Sequence, residues 1–212
     1  MRPLLLAIVL LLITPVVSFA AGDHGFQLEV DAVGSLPTGT YEFGGLANEL
    51  YRFGGNGMGK ALFGISRRVS IGLGVGYLAS RKDFSRTTVF DTHPPRNISG
   101  TRSLHAVPSL ALVQIRSDTH RRLSWYGEGG LGITTYDVRL SELSGGRPPV
   151  SDFQKAFSYL AGAGACLGLG RNFELLAGAG YLQSFTRNGP AWESGDNPAH
   201  LLCTLGVRYP RW

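Results

Sequence analysis

In VSIGLGVGYLAS (Val69–Ser80), Val69, Ile71, Leu73, Val75 and Tyr77 take every second position, and Ser70, Gly72, Gly74 and Gly76 stand between them. A strand has a period of two, so this alternation predicts one apolar face and one nearly bare face. The pattern returns in FELLAGAGYLQS (Phe173–Ser184), where Phe173, Leu175, Ala177, Ala179 and Tyr181 alternate with Glu174, Leu176, Gly178, Gly180 and Leu182. It returns again in SYLAGAGACLGLG (Ser158–Gly170). No helical period follows any of these glycine runs, which argues against a dinucleotide fingerprint. Similar segments make eight expected strands: Phe26–Gly34, Met58–Ile65, Val69–Ser80, Arg102–Ile115, Leu123–Arg139, Ser158–Leu169, Phe173–Phe185 and His200–Tyr209.

Most of these are near the nine to eleven residues that a tilted strand needs to cross a bilayer. The links between them alternate in length. Ser66–Arg68, the RSDTHRR run and Gly170–Asn172 are short, whereas Ser35–Gly57, Arg81–Thr101, Ser141–Ala156 and Thr186–Ala199 are long and rich in Gly and Pro. Short turns at one end and long loops at the other predict an all-β, eight-stranded antiparallel transmembrane β-barrel with periplasmic turns and outer loops. The aromatics follow the same frame. Phe26, Phe63, Trp125, Phe173 and Tyr209 fall near the periplasmic end, and Tyr77, Tyr159 and Tyr181 near the outer end, as two interfacial girdles require.

The first residues add a compartment. Arg2, the apolar run LLLAIVLLLITPVV and the small residues Ser18 and Ala20 read as a signal peptide over 1–20, leaving 21–212 as the barrel domain. The whole chain carries 20 Lys and Arg against 15 Asp and Glu, and the excess is scattered. That is too mild a charge to point to nucleic acid.

The chain ends in HLLCTLGVRYPRW, with Leu201, Cys203, Leu205, Val207 and Tyr209 on one row and Trp212 last. Together with SLHAVPSLALVQI and SWYGEGGLGITTYDV, this resembles the outer-membrane β-barrel domain family that includes the small OmpA-, OmpX- and opacity-type proteins. The resemblance implies a Gram-negative outer membrane, with outer-membrane lipids and lipopolysaccharide as neighbours. It also implies recognition of Tyr209 and Trp212 by the barrel-insertion machinery. A monomer is expected, without the peptidoglycan-binding domain of full-length OmpA.

Candidate chemistry is sparse. FGGNGMGKALFG (Phe53–Gly64) has P-loop-like spacing, but Ala61 stands where a Ser or Thr should hold Mg²⁺, and strand rather than helix is expected there. No nucleotide or other cofactor is therefore expected. Inward parity instead collects Glu29, Asp31, Lys60, Glu128, Glu174 and Arg208 as an interior ionic network. The fourth strand offers two apolar rows, one through Leu104 and Leu112 and one through Val107 and Val113, so the facing of Arg102 and His105 stays open. Pro108 predicts irregular pairing. Arg81, Lys82, Arg86, Arg96 and Arg102 around the second outer loop are candidate partners for lipid phosphates. No His-x-Ser-Asn pattern occurs, and catalysis and a metal site are not expected. The expected role is structural or one of surface interaction, with a small-solute channel or a lipid A-modifying enzyme as alternatives. Cys166 and Cys203 fall on opposite rows of non-adjacent strands, against a disulfide.

Overall fold

The computed structural model describes residues 25–38, 54–90, 93–117, 122–142, 150–169, 172–185 and 197–209. The signal segment and Trp212 lie outside them. Eight strands follow in chain order: β1 (Phe26–Pro37), β2 (Gly54–Gly64), β3 (Val69–Phe90), β4 (His93–Arg116), β5 (Leu123–Glu142), β6 (Val150–Leu169), β7 (Phe173–Phe185) and β8 (Ala199–Tyr209). Each pairs antiparallel with its sequence neighbour, and β1 pairs with β8 to close the barrel.

The register sets the tilt. Gln27 pairs with Leu62, and the row continues through Gly72, Leu112, Gly130, Leu160 and Leu182 to His200, which pairs with Pro37 of β1. One circuit therefore returns to β1 ten residues beyond its start. This stagger inclines the strands to the barrel axis, and the small strand number leaves an interior only wide enough for side chains.

The alternating rows face as the period requires. Leu73 is 66% exposed and Trp125 63%, whereas Leu62, Leu78, Leu176 and Leu182 on the other parity are buried. Lipid solvates the outer row and side chains fill the lumen, so an apolar residue is at home on both faces. For that reason hydrophobicity alone leaves β4 ambiguous. The structure turns Leu104, Ala106, Leu110 and Leu112 inward and Val107, Val113 and Ile115 outward, and His105 goes with the outer row.

Two sequence-based expectations need correction. The second outer link is mostly strand, because β3 and β4 continue pairing up to Phe90 and His93. Outside the bilayer a ladder no longer needs an apolar row, so the hydrophobic signal ends before the backbone pairing does. Gly54–Gly57, assigned to the first outer loop, opens β2, with Ser35 opposite Gly54. The irregular pairing expected at Pro108 is present, since the β3–β4 ladder is interrupted there between Val75↔Ser109 and Leu78↔Ala106, with the register unchanged. The register shift lies at Thr88 and Phe90 instead.

The facing assignments predict an ordered pair of insertion defects. Leu73→Arg places a cation in the lipid band at a cost of about 2–4 kcal/mol, whereas Gly74→Ser meets the movable Leu112 side chain inside. Heat-modifiable gel mobility after membrane fractionation should show more unfolded Leu73→Arg than Gly74→Ser. The reverse order would invert the inside and outside rows.

Candidate functional site

Polar side chains converge at the periplasmic half of the lumen. Lys60 on β2 places Nζ 2.7 Å from Glu29 Oε1, 2.8 Å from Glu128 Oε2 and 3.0 Å from Asp31 Oδ2. The first two are hydrogen bonds, while the approach to Asp31 is a charge contact. Arg208 on β8 donates through Nε to Glu29 Oε2 at 3.0 Å, through Nη1 to Glu174 Oε2 at 3.3 Å and through Nη2 to Gln114 Oε1 at 2.6 Å. Arg116 on β4 donates to Glu174 Oε1 at 2.6 Å and to Ser124 Oγ at 3.3 Å. One continuous ionic chain thus links β1, β2, β4, β5, β7 and β8 across the lumen.

All six residues expected in this network lie within it. Gln114 and Arg116 are additions to it: the undecided facing of the expected fourth strand leaves Gln114 unassigned, and its end at Ile115 leaves Arg116 in the turn. The signal was present, since the row Leu104, Ala106, Pro108, Leu110, Leu112 continues with Gln114 and Arg116. A row ending in a glutamine and an arginine belongs inside a barrel whose other face meets lipid.

The inward glycines give this cluster its space. A Cβ on Gly164 would meet the Tyr126 ring, and one on Gly178 would meet the Tyr126 hydroxyl. Tyr126 lies with its ring centroid 6.0 Å from the Arg208 guanidinium carbon. On β8, a Cβ at Gly206 would collide with the Asp31 carboxylate. Bare positions on β6, β7 and β8 therefore receive the large side chains of β1 and β5.

Beyond the ionic layer the lumen becomes apolar. Val33, Met58, Leu110, Leu112, Leu160, Leu182 and Leu202 are buried together. Further out, Tyr136 donates to Ser184 Oγ at 2.7 Å, and Ser184 bonds Ser158 Oγ at 2.6 Å. Tyr136 also stacks on His200 with ring centroids 6.4 Å apart.

The P-loop-like spacing has a plain structural meaning. Gly54–Gly64 is a strand, and Lys60 is committed to three carboxylates. Cys166 is buried in the lumen, Cys203 is exposed, and both are free thiols. Among the described residues no group of three or more His, Cys, Asp and Glu is arranged to hold a metal ion.

On the outer surface, Phe63, Tyr77, Trp125, Phe173, Tyr181 and Tyr209 are exposed, while Phe26 and Tyr159 are half-buried. Phe173 and Tyr209 adjoin across β7 and β8 with centroids 5.0 Å apart, and Phe26 pairs with Phe63 in register. Of the basic residues expected at the second outer link, Arg81 is exposed and donates to Thr101 Oγ1 at 3.4 Å. The backbone register sets Lys82 opposite Arg102, Arg86 opposite Ile98 and Thr88 opposite Arg96.

The geometry defines a closed, side-chain-filled barrel with an apolar exterior, and solved outer-membrane proteins share its fold. Neisserial surface protein A matches with a TM-score of 0.57 at 14% identity, covering 90% of this chain and all of that one. A major outer membrane protein from Thermus thermophilus gives 0.51 at 11% identity, with 87% and 99% covered. Ail, the attachment invasion locus protein of Yersinia pestis, gives 0.50 at 16%, with 88% and 97% covered. No protein-family model and no curated protein matches the sequence. At these identities the likeness establishes the fold, which is that of the small eight-stranded outer-membrane barrels.

The network holds four carboxylates against Lys60, Arg116 and Arg208, so one anionic group is in excess when all are ionised. Lys60→Ala strands the carboxylates and should lower the unfolding free energy in urea by about 3–5 kcal/mol. Asp31→Asn removes the surplus charge and should cost much less. Equal losses for the two variants would show that Asp31 is as necessary as the lysine.

Proposed function

We propose that this protein is an integral outer-membrane barrel, monomeric and non-catalytic, whose lumen is closed and whose activity resides at its outer surface. The filled lumen carries this reading. Leu110, Leu160, Leu182 and Leu202 pack together above the ionic chain, so a solute or ion crossing the barrel must displace both an apolar layer and a set of paired charges.

With transport disfavoured by the interior, the outer ends of the strands are where partners would be met. The partner we assign is lipopolysaccharide. Its phosphates match the basic residues Arg81, Lys82, Arg86, Arg96 and Arg102, which the β3–β4 ladder gathers on one hairpin. Residues 1–20 act in this reading as a cleaved export signal, and the aromatic ending through Tyr209 and Trp212 as the mark read by the insertion machinery. No nucleotide, nucleic acid or cofactor is needed.

Planar-bilayer recording tests the closed lumen. Wild-type protein should give little or no steady conductance, and replacing Leu110, Leu160 and Leu202 together with alanine should raise it. Large, stable single-channel currents from the wild-type monomer would instead establish a small-solute porin.

A further inference from the structure

The outward face of the barrel is not uniformly apolar above the outer aromatic girdle. On β3, Arg81 stands four residues beyond Tyr77 on the same exposed row, and on β6 Lys155 stands four residues beyond Tyr159. Four residues of strand rise about 13 Å along the chain, or about 10 Å in height at the usual tilt. That places both cations at the level of lipid headgroups, outside the hydrocarbon.

The register brings a third cation level with Arg81, whereas Lys155 pairs with Thr135, four residues nearer the girdle than Arg139 on β5. Arg81 pairs with Ser103 of β4, and Ser103 pairs with Arg139 of β5, so one row across three strands reads Arg, Ser, Arg. The backbones of the two arginines are two strand spacings apart, about 9.6 Å. Two guanidinium groups on that spacing can converge on one tetrahedral anion, with the serine hydroxyl beneath it. Arg139 is 64% exposed at its side chain and is steadied by Asp137, which accepts from Nε at 2.9 Å and from Nη2 at 2.7 Å. Below this row His105 Nδ1 and the Tyr77 hydroxyl are hydrogen-bonded at 2.6 Å, which fixes the ring at the girdle edge.

The cations cluster on one side. Arg81, Arg139 and Lys155 stand on β3, β5 and β6, where Asp137 accompanies Arg139 and Asp83 holds the next position of the Arg81 row. At comparable height the described outward residues of β7, β8 and β1 are Gln183, Phe185, Leu201 and Leu36. A uniform solubilising rim would surround the barrel, whereas among the described residues this patch occupies β3 to β6.

We infer that Arg81, Ser103 and Arg139, with Lys155 on the next strand four residues nearer the girdle, form a binding site on the outer wall for the phosphorylated headgroup of an outer-leaflet lipid. The acyl chains of that lipid would lie against the apolar band below. The inference rests on the surface reading proposed above and moves the phosphate contact from the tip of the β3–β4 hairpin to the barrel wall. Arg81 is common to both assignments, while Ser103, Arg139 and Lys155 are new.

The test is binding of bisphosphorylated and dephosphorylated lipid A, in mixed micelles, to the refolded full barrel. Three proteins are compared: wild type, the wall variant R81Q/R139Q/K155Q and the hairpin variant K82Q/R86Q/R96Q/R102Q. Heat-modifiable mobility confirms that each is folded. The wall variant should lose about tenfold in affinity for the bisphosphorylated form, together with the preference for phosphate, and the hairpin variant should keep both. Loss in the hairpin variant alone overturns the wall site and leaves the proposed partner standing. A wild-type protein with no preference for phosphate overturns both.

Discussion

Within hydrocarbon an unpaired backbone N–H or C=O has no water to turn to, and this one constraint organises the molecule. A sheet meets it only by closing on itself, which the pairing of β1 with β8 achieves. Closure over eight strands with a ten-residue stagger then fixes the bore. Everything inside must be chosen to fit. The bare rows on β6 and β7 follow from that, since Tyr126 and Glu128 reach across to Gly164, Gly178 and Gly162. A strand of inward glycine makes sense only with a bulky strand beside it.

A buried ionic network in so narrow a space is an expensive way to fill volume, because each charge gives up hydration. The cost is offset here by multiple pairing. Glu29 is shared by Lys60 and Arg208, and Glu174 by Arg208 and Arg116. No cation in the network serves one acceptor alone. The arrangement also specifies register, since slipping β2 by one residue would turn Lys60 into lipid and Phe63 into the lumen. The apolar layer above carries no such information, because leucines such as Leu110 and Leu160 fill space on either face of the wall.

This difference explains what was legible in the sequence. The strands declared themselves where one row was apolar and the other was glycine, as in β3 and β7, since only a membrane strand facing a crowded lumen combines the two. The network was legible wherever a charge sat on the inward row of such a strand, as Lys60, Glu174 and Arg208 do. Strand β4 was opaque because both of its rows are apolar, and its facing is decided by Gln114 and Arg116 at its periplasmic end, just where the turn was expected to begin. The outer halves of β3 and β4 were opaque for another reason. There the ladder runs through water, and RKDFSRTT has the composition of a loop while its backbone pairs in register.

That continued pairing bears on how the surface is used. Basic residues on a long loop would have to be ordered at the moment of binding, and the lost freedom would weaken the complex. On a ladder the spacing is set before any ligand arrives. Arg81 and Arg139 keep their two-strand separation through Ser103, and Lys82 stays opposite Arg102, by the same hydrogen bonds that close the barrel below. The sheet is obligatory in the bilayer and optional outside it. Extending it outward converts the constraint that dictates the transmembrane fold into a rigid frame for the cations it carries.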